Sequence, residues 1–203
     1  QLGERRVRNA KVGSSILLGS TNFLVMSKTS RFMVSTDTSK EWLDVVDEND
    51  VVVGRERRGF VHARGLMHRS AQVLVFNSKG EMFLQKRSAH KDEFPGLWDS
   101  SAAGHLDAGE DYIDCARREL AEELGITAPV ELEPLFRLPA SADTGWEHCS
   151  VFRCRYDGPL NLNADEVAEG RWLSATEMNR LVDDDDATLT PAIRRIWRRV
   201  RTP

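Results

Sequence analysis

Hydrophobic and polar positions alternate along several short stretches of the chain, and this pattern predicts β-strands separated by turns. The apolar stretches 42–46 and 51–53 flank the acidic segment 47–50, which is typical of a β-hairpin. The basic, glycine-containing stretch 56–67 predicts a loop or a short helix. The predicted strands after it are 71–76, 82–85, 99–103, 130–138, 147–156 and 171–173, with a turn signal at Asn77-Ser78-Lys79-Gly80 between the first two.

Three segments show helical spacing of their apolar residues and carry residues that begin or end helices. Residues 111–124 are followed by Gly125, a common C-terminal stop. Residues 175–182 follow Ser174, which suits an N-cap, and a last helix begins at Pro191. Strands, one helix, more strands and then helices predict an α+β fold in which a mixed sheet has helices on its faces.

The first 40 residues differ from the rest in their pattern of apolar and basic residues. Residues 14–26 contain apolar side chains with basic residues upstream, as a signal peptide does. However, the polar stretch 19–22 interrupts the apolar run, which stays below the roughly 18 residues of a membrane span. We therefore expect residues 1–40 to be a disordered arm or an added leader, and residues 41–203 to be the globular domain.

Composition narrows the classes of function. Charged residues make up 30% of the chain and the net charge is -4, so no basic surface typical of nucleic-acid binding is expected. The three cysteines, Cys115, Cys149 and Cys154, lack metal-ligand spacing, which indicates reduced thiols and a cytoplasmic protein. Neither a nucleic acid nor a membrane is an expected partner.

The helix predicted at 111–124 carries three acidic residues within one arc. Glu119, Glu122 and Glu123 are spaced i, i+3, i+4 and project within about 100° of one another. Such like charges cost roughly 0.2–0.5 kcal/mol per pair, and a divalent cation would reverse the sign of this effect. Oxygen ligands of this kind suit Mg²⁺ or Mn²⁺. A solvated glutamate face is the alternative interpretation.

The loop before this helix favours metal binding. Gly104 and Gly109 lie in a turn, where glycine allows the backbone to approach a metal or a phosphate closely. Glu110 precedes the helix, where its charge suits the positive end of the dipole. It is a suitable partner for Arg118, which faces Glu122 one turn later.

Taken together, these residues form one long pattern with fixed spacing. It comprises Gly104, five residues, Glu110, seven residues and then Arg118-Glu119-Leu120-Ala121-Glu122-Glu123-Leu124-Gly125-Ile126. The pattern resembles the Nudix box at each of its defined positions. The resemblance implies a Nudix-type mixed β-sheet sandwiched between helices over residues 41–203, with helices at the C-terminal end.

The resemblance also implies an activity. Members of the family cleave a diphosphate bond in nucleoside-diphosphate-linked or related small molecules by attack of water, with Mg²⁺ or Mn²⁺ as the cofactor. The resemblance implies that the metal ligands are the Gly104 carbonyl and the carboxylates of Glu119, Glu122 and Glu123. It also implies that Glu110 and Arg118 support these ligands. Glu119, or a carboxylate outside the box such as Glu147, takes the proton of the water.

Within the family, the chain shows a closer resemblance to the isopentenyl-diphosphate isomerase branch. The resemblance rests on His68-Arg69-Ser70, Asn77-Ser78-Lys79-Gly80, Pro95-Gly96-Leu97-Trp98 and Gly104-His105. In that branch a cysteine shortly before the Gly-His pair is the catalytic acid/base. Ala102 and Ala103 stand here, and alanine has no proton to give, so isomerase activity is not expected.

Two basic residues match positions that contact the substrate diphosphate in the isomerase branch. These are Arg87 and Lys91, whose charge suits that role. Ordinary surface cations are the alternative.

The isomerase branch also has a metal site of histidines and glutamates. His62, His68, His105 and Glu147 match it in part, but the spacing of the first two is one residue short. Gly145 stands where a second glutamate is expected. The sequence therefore favours ordinary polar or capping roles for the histidines, and Glu147 is kept as a candidate ligand or base outside the box.

Three functions remain as hypotheses. The first is a metal-dependent diphosphate hydrolase, the second an isomerase, and the third a catalytically silent nucleotide-binding module. Family habit suggests a homodimer. Trp146 suits either stacking on a base or packing in the core, whereas Trp98 and Trp172 are expected in the core. The sequence does not identify the group attached to the diphosphate.

Overall fold

The structure, a computed structural model, describes residues 41–201, which form a mixed β-sheet with helices on both faces. The segment 1–40, expected to be an arm or a leader, lies outside the described residues. No helix within 41–201 is long and apolar enough to cross a membrane. The elements are β1 (Trp42–Val46), β2 (Val52–Arg57), α1 (Arg58–Arg64), β3 (His68–Phe76), β4 (Met82–Arg87), β5 (Trp98–Asp99), β6 (Ala102–His105), α2 (Tyr112–Leu124), β7 (Glu133–Leu138), β8 (Glu147–Arg155), β9 (Val167–Leu173), α3 (Ala175–Asp183) and α4 (Pro191–Val200).

The main sheet has the strand order β5-β4-β3-β8-β7, with β6 paired to β3 and β9 paired to β4. β3 and β8 run parallel, whereas the other pairs of this sheet are antiparallel. β3 meets β4 at Phe76 and Met82, and pairs with β6 across residues 70–73. Gly104 in β6 therefore lies opposite Ala71 in the central strand.

A hydrophobic cluster on each face of the sheet holds the helices. α2 packs on the first cluster through buried side chains that include Cys115, Leu120 and Leu124. α3 and α4 pack on the second cluster, where Met178 and Ile193 are fully buried. A mixed sheet between two helical layers confirms the expected α+β fold of α/β/α type.

Two strands begin earlier than the hydrophobic pattern predicts. β3 begins at His68 rather than at residue 71, and β9 begins at Val167 rather than at residue 171. His68 and Ser70 are polar but buried, so their place in a central strand leaves no apolar signal in the sequence. The stretch 99–103, expected as a single strand, is divided between β5 and β6.

The tryptophans separate into core and surface residues. Trp98 is buried, and Trp172 packs on the first cluster beside Phe83, as expected for core residues. Trp146 is 43% exposed and has a φ of 65°, so its core interpretation is wrong. The three cysteines are free and buried, in agreement with the expectation of reduced thiols.

The β1–β2 hairpin is attached to the loop that precedes α2. The Ala108 N–H donates to the Trp42 carbonyl at 2.9 Å, and the Gly109 N–H donates to the Asp44 carboxylate at 2.7 Å. Gly109 has a φ of 86°, in the left-handed region that favours glycine. Asp44 is buried and also accepts a hydrogen bond from Arg55 at 3.2 Å. The hairpin thus holds the loop in one conformation.

Candidate active site

Two of the three glutamates in the acidic arc of α2 turn inwards rather than towards solvent. Glu119 is 6% exposed and Glu123 is fully buried, whereas Glu122 lies near the surface. Burial and the nearby charge of Glu123 raise the pKa of Glu119, although Arg118 opposes this shift. Burial likewise raises the pKa of Glu123. Two buried carboxylates of like charge do not fit a solvated helix face, and they favour a cation as their partner.

Gly104 provides the backbone surface against which Glu119 lies. A Cβ atom at position 104 would overlap the Glu119 carboxylate, so no residue with a side chain fits there without moving it. The Gly104 φ is outside the left-handed region, and the requirement for glycine is therefore one of space rather than backbone conformation. This close approach brings the Gly104 backbone and the acidic side chains into one small volume.

Arg118 connects the loop to the helix as the sequence predicts. Its guanidinium donates two hydrogen bonds to Glu110, at 3.0 and 2.9 Å, and one to the His105 carbonyl at 2.9 Å. It also contacts Glu119 at 2.6 Å and Glu122 at 3.1 Å. Arg118 thereby holds the orientation of two candidate metal ligands from one side.

Three further residues complete the acidic site, and sequence reasoning missed Gln85, Glu166 and the backbone contact of Ala103. Gln85 in β4 donates to Glu123 at 2.8 Å, and the Ala103 N–H donates to the same carboxylate oxygen at 3.0 Å. Glu166, just before β9, lies close to Glu123 because the Lys91 ammonium contacts both carboxylates. The only sequence signal for Gln85 is its polar side chain within an apolar strand, and Glu166 carries no signal.

The two predicted substrate cations are partly buried rather than ordinary surface residues. Burial lowers the pKa of Lys91, but the carboxylates of Glu123 and Glu166 outweigh that effect and raise it, so the ammonium is charged. Arg87 lies at the end of β4, where it contacts Asp99 at 3.4 Å and donates to the Glu93 carbonyl at 3.0 Å. Lys91 borders the acidic site, and the charge of Arg87 lies near enough to oppose the raised pKa of Lys91.

Three histidines from three elements form a second cluster. His62 from α1, His68 from β3 and His105 from β6 have ring centroids 4.9 Å apart in every pair. One ring nitrogen of each lies within 4.8 Å of the others, close enough to bind one metal ion. Glu147 at the start of β8 adds a carboxylate, 3.1 Å from His105 Nε2 and 3.7 Å from His68 Nε2.

Two of the three histidines keep one ring nitrogen available as a ligand atom. His68 Nδ1 donates to the Leu66 carbonyl at 2.9 Å, and His62 Nδ1 contacts the Glu93 carboxylate at 3.2 Å. The Nε2 atoms of both rings are buried and have no hydrogen-bond partner within residues 41–201. Such outer contacts fix the tautomer of a metal ligand.

The ionisation of this cluster also suits metal binding. Burial and the neighbouring His105 lower the pKa of His68 to about 4, so the ring is neutral. Burial raises the pKa of Glu147, but the His105 and His68 rings outweigh it and hold the pKa at about 2. A neutral imidazole and an ionised carboxylate are the ligand forms that a metal requires.

Comparison with known proteins identifies the family. The model of the NUDIX domain matches residues 66–195, more than half of the chain. The chain belongs to the Nudix hydrolase family. A Nudix hydrolase of Pseudomonas aeruginosa, described as uncharacterized, is 42% identical over 129 residues, which cover 63% of this chain and 75% of that protein.

Two other comparisons reach further along this Nudix chain. An isopentenyl-diphosphate Delta-isomerase 2 of Photorhabdus laumondii is 31% identical over 160 residues, covering 77% of this chain and 88% of the isomerase. The crystal structure of DR0079 from Deinococcus radiodurans has a TM-score of 0.71 and 27% identity, and covers 80% of this chain and all of that one. The similarity to the isomerase confirms the resemblance to that branch of the Nudix family, and the structural similarity confirms the fold.

The position expected to carry the isomerase cysteine lies inside the site of this Nudix protein. Ala102 is buried, and the backbone of Ala103 donates to Glu123. Because neither side chain has a proton to transfer, the position contributes a backbone hydrogen bond rather than an acid or a base. The site therefore keeps the acidic cluster and lacks the isomerase residue.

Proposed function

We propose that this Nudix protein is a Mg²⁺-dependent hydrolase, with Mn²⁺ as a substitute, that cleaves a diphosphate bond in a nucleoside-diphosphate-linked or related small molecule. The observation that carries the proposal is the buried set of carboxylates around Glu119 and Glu123, with Glu122 and Glu166 at its edge. Buried like charges of this kind are stable only with positive partners. Members of the family generally use divalent cations.

The residues present fit such a cation. The donor set consists of hard carboxylate oxygens with the Gly104 backbone beside them, which is the chemistry that Mg²⁺ prefers. The space at Gly104, which a Cβ atom would fill, lies directly against Glu119. Glu119, Glu122 and Glu123 would hold the metal, and the Gly104 carbonyl would add a ligand.

The chain's own residues divide the remaining tasks. Divalent cations supply charge that polarises the diphosphate and lowers the pKa of an attacking water. Glu119 takes the proton of that water in our proposal, because its buried carboxylate lies against the Gly104 backbone inside the acidic site. Glu147, with a pKa held at about 2, is better suited to metal binding than to proton transfer. Arg87 and Lys91 bind the diphosphate.

A substrate panel tests the function directly. We expect Mg²⁺-dependent and Mn²⁺-dependent release of phosphate or a nucleoside monophosphate from at least one nucleotide sugar, dinucleotide, coenzyme diphosphate or nucleoside di- or triphosphate. A chelator should abolish the release. Isomerisation of isopentenyl diphosphate without hydrolysis of any panel member would favour the isomerase. Tight nucleotide binding without turnover would favour the silent module.

The histidine cluster is proposed as a second metal site. Its three imidazoles and one carboxylate resemble the ligands that Zn²⁺ and other transition metals take more readily than Mg²⁺ does. The Glu93 contact to His62 orients that ring from outside the cluster. The sequence favoured ordinary polar roles for these histidines, and the close approach of their rings is what supports metal binding instead.

Cobalt provides a test of the second site. We expect one equivalent of Co²⁺ to bind with a visible absorption band characteristic of nitrogen ligands, and His62→Asn to weaken this binding at least tenfold, in line with the 10- to 100-fold that even outer contacts contribute. His90→Asn is the control, since His90 is exposed and lies outside the cluster. A Co²⁺ affinity of His62→Asn equal to that of the wild type would contradict the assignment.

The remaining expectations stay predictions. They are a small-molecule diphosphate as the partner, a homodimer and a cytoplasmic location. Sedimentation analysis of the purified chain would measure the oligomeric state.

A further inference from the structure

The Lys91 side chain lies between two carboxylates that come from different parts of the fold. Its Nζ atom is 3.3 Å from Glu123 Oε1 in α2 and 2.5 Å from Glu166 Oε2 before β9. The loop that carries Lys91 is tied to the same region, because the Ser88 N–H donates to the Glu166 carbonyl at 2.9 Å. Lys91 and the two acids are therefore held together by backbone and side-chain contacts.

The two oxygens of Glu123 have different partners. Oε2 accepts neutral hydrogen bonds from Gln85 and from the Ala103 N–H, whereas Oε1 faces the charged Lys91 ammonium. An ammonium and a divalent cation both bind carboxylate oxygens. A Mg²⁺ ion contacts the oxygen at about 2.0–2.1 Å, which is shorter than the hydrogen bond from an ammonium. The ammonium thus stands against the same oxygen atom that a metal bound by Glu123 would contact.

We propose that the Lys91 ammonium holds the place of one divalent cation between Glu123 and Glu166, and that metal binding displaces it. This inference rests on the proposed function, since it requires Glu123 to be a metal ligand. An ammonium and a divalent ion repel each other strongly in a site with little water. The flexible four-carbon stem of lysine allows the ammonium to move while its backbone stays in place.

The displacement couples metal binding to substrate binding. In the proposed function Lys91 binds the substrate diphosphate, so metal loading would release a cation for the substrate. Reciprocally, a diphosphate that binds Lys91 removes the competitor of the metal and tightens metal binding. Linkage requires these two effects to be equal in free energy, and couplings of this type are typically 5- to 150-fold.

Direct metal binding tests the inference without measuring turnover. Mn²⁺ is titrated against the full chain at pH 8 and the free ion is followed by electron paramagnetic resonance. The alkaline pH limits competition by protons, because removal of the ammonium raises the pKa of Glu123. The Mn²⁺ binding that Glu123→Gln eliminates is the fraction bound to the carboxylates. That fraction is compared between the wild type and Lys91→Met.

We expect Lys91→Met to tighten this Mn²⁺ binding about tenfold, within the usual range of such couplings. Lys91→Arg retains the charge and is expected to behave as the wild type. Lys86→Met is the matched control, since Lys86 contacts Glu169 at 3.7 Å away from the acidic cluster. Thermal unfolding of each variant checks that Mn²⁺ binding is compared between folded proteins. If Lys91→Met does not fold, Lys91→Gln takes its place.

A second titration includes methylenediphosphonate, a diphosphate that water does not cleave. It should tighten Mn²⁺ binding to the wild type and have a smaller effect on Lys91→Met. If Lys91→Met binds Mn²⁺ no more tightly than the wild type, while Glu123→Gln loses it, the place-holder role is wrong and the proposed function stands. If Glu123→Gln binds Mn²⁺ as the wild type does, the metal assignment in the box is wrong and both proposals fall.

Discussion

Glu122→Gln is expected to lower Mg²⁺-dependent turnover about a thousandfold while leaving the fold almost unchanged. A metal ligand contributes several kcal/mol to transition-state stabilisation, and about 4 kcal/mol corresponds to three decades in rate. Folding should change little, because the Glu122 side chain is 51% exposed and its contact with Arg118 is a surface ion pair. Steady-state kinetics and denaturant unfolding measure the two quantities.

Glu133→Gln is the matched control for this variant. Glu133 is also a half-exposed glutamate paired with an arginine, Arg153 at 2.8 Å, but it lies on β7 outside the acidic site. Its exchange should leave turnover and unfolding unchanged within a small margin. Unchanged turnover in Glu122→Gln would remove Glu122 from the metal site.

Gly104→Ala is expected to lower turnover at least a hundredfold through the addition of one methyl group. The new Cβ atom would overlap the Glu119 carboxylate, which must then move away from its present position. A displacement of about 1 Å at a reacting site costs about 10²-fold in rate. The turnover number and the Mn²⁺ affinity should both fall, because Glu119 is a proposed ligand as well as the proposed base.

Gly54→Ala separates this effect from a general intolerance of alanine. Gly54 is also a strand glycine with ordinary φ, and nothing lies within 4 Å of the Cβ atom that alanine would add. Its exchange should leave turnover as it is. Full activity in Gly104→Ala would mean that Glu119 can move without loss, and it would contradict the close backbone approach as a requirement of the site.

The Nudix box was predictable from the sequence because its geometry is local. Helical spacing alone places Glu119, Glu122 and Glu123 on one arc, and the distance from Glu110 to Arg118 brings their side chains together. The depth of burial was not predictable in this way. It depends on how α2 rotates against the sheet, which is set by the packing of the first hydrophobic cluster.

The histidine cluster shows where local reasoning is insufficient. The spacing of His62 and His68 along the chain is one residue short of the expected pattern and therefore argues against a shared site. The chain turns sharply between them, because α1 ends at Gly65 in a left-handed conformation with φ of 58°. His105 then arrives from β6, opposite Ser70 in the sheet register. Only the tertiary fold brings the three rings together.

Glu166 could not be assigned from sequence for a related reason. It lies 43 residues after Glu123, as their residue numbers show, and reaches the site because β9 pairs with β4. The register places Val167 beside Arg87, at the end of β4 that leads to Lys91. A contact that depends on strand pairing over this separation leaves no spacing pattern in the chain.

The β1–β2 hairpin, which holds the loop before α2, places part of the active-site framework outside the segment that the family pattern covers. The family pattern begins at residue 66, yet Asp44 and the Trp42 carbonyl, which fix the loop backbone, come before it, as does His62. Two chains with identical boxes can therefore differ in how firmly the loop is held. Divergence in this upstream segment offers evolution a way to adjust the active site while the signature itself stays intact.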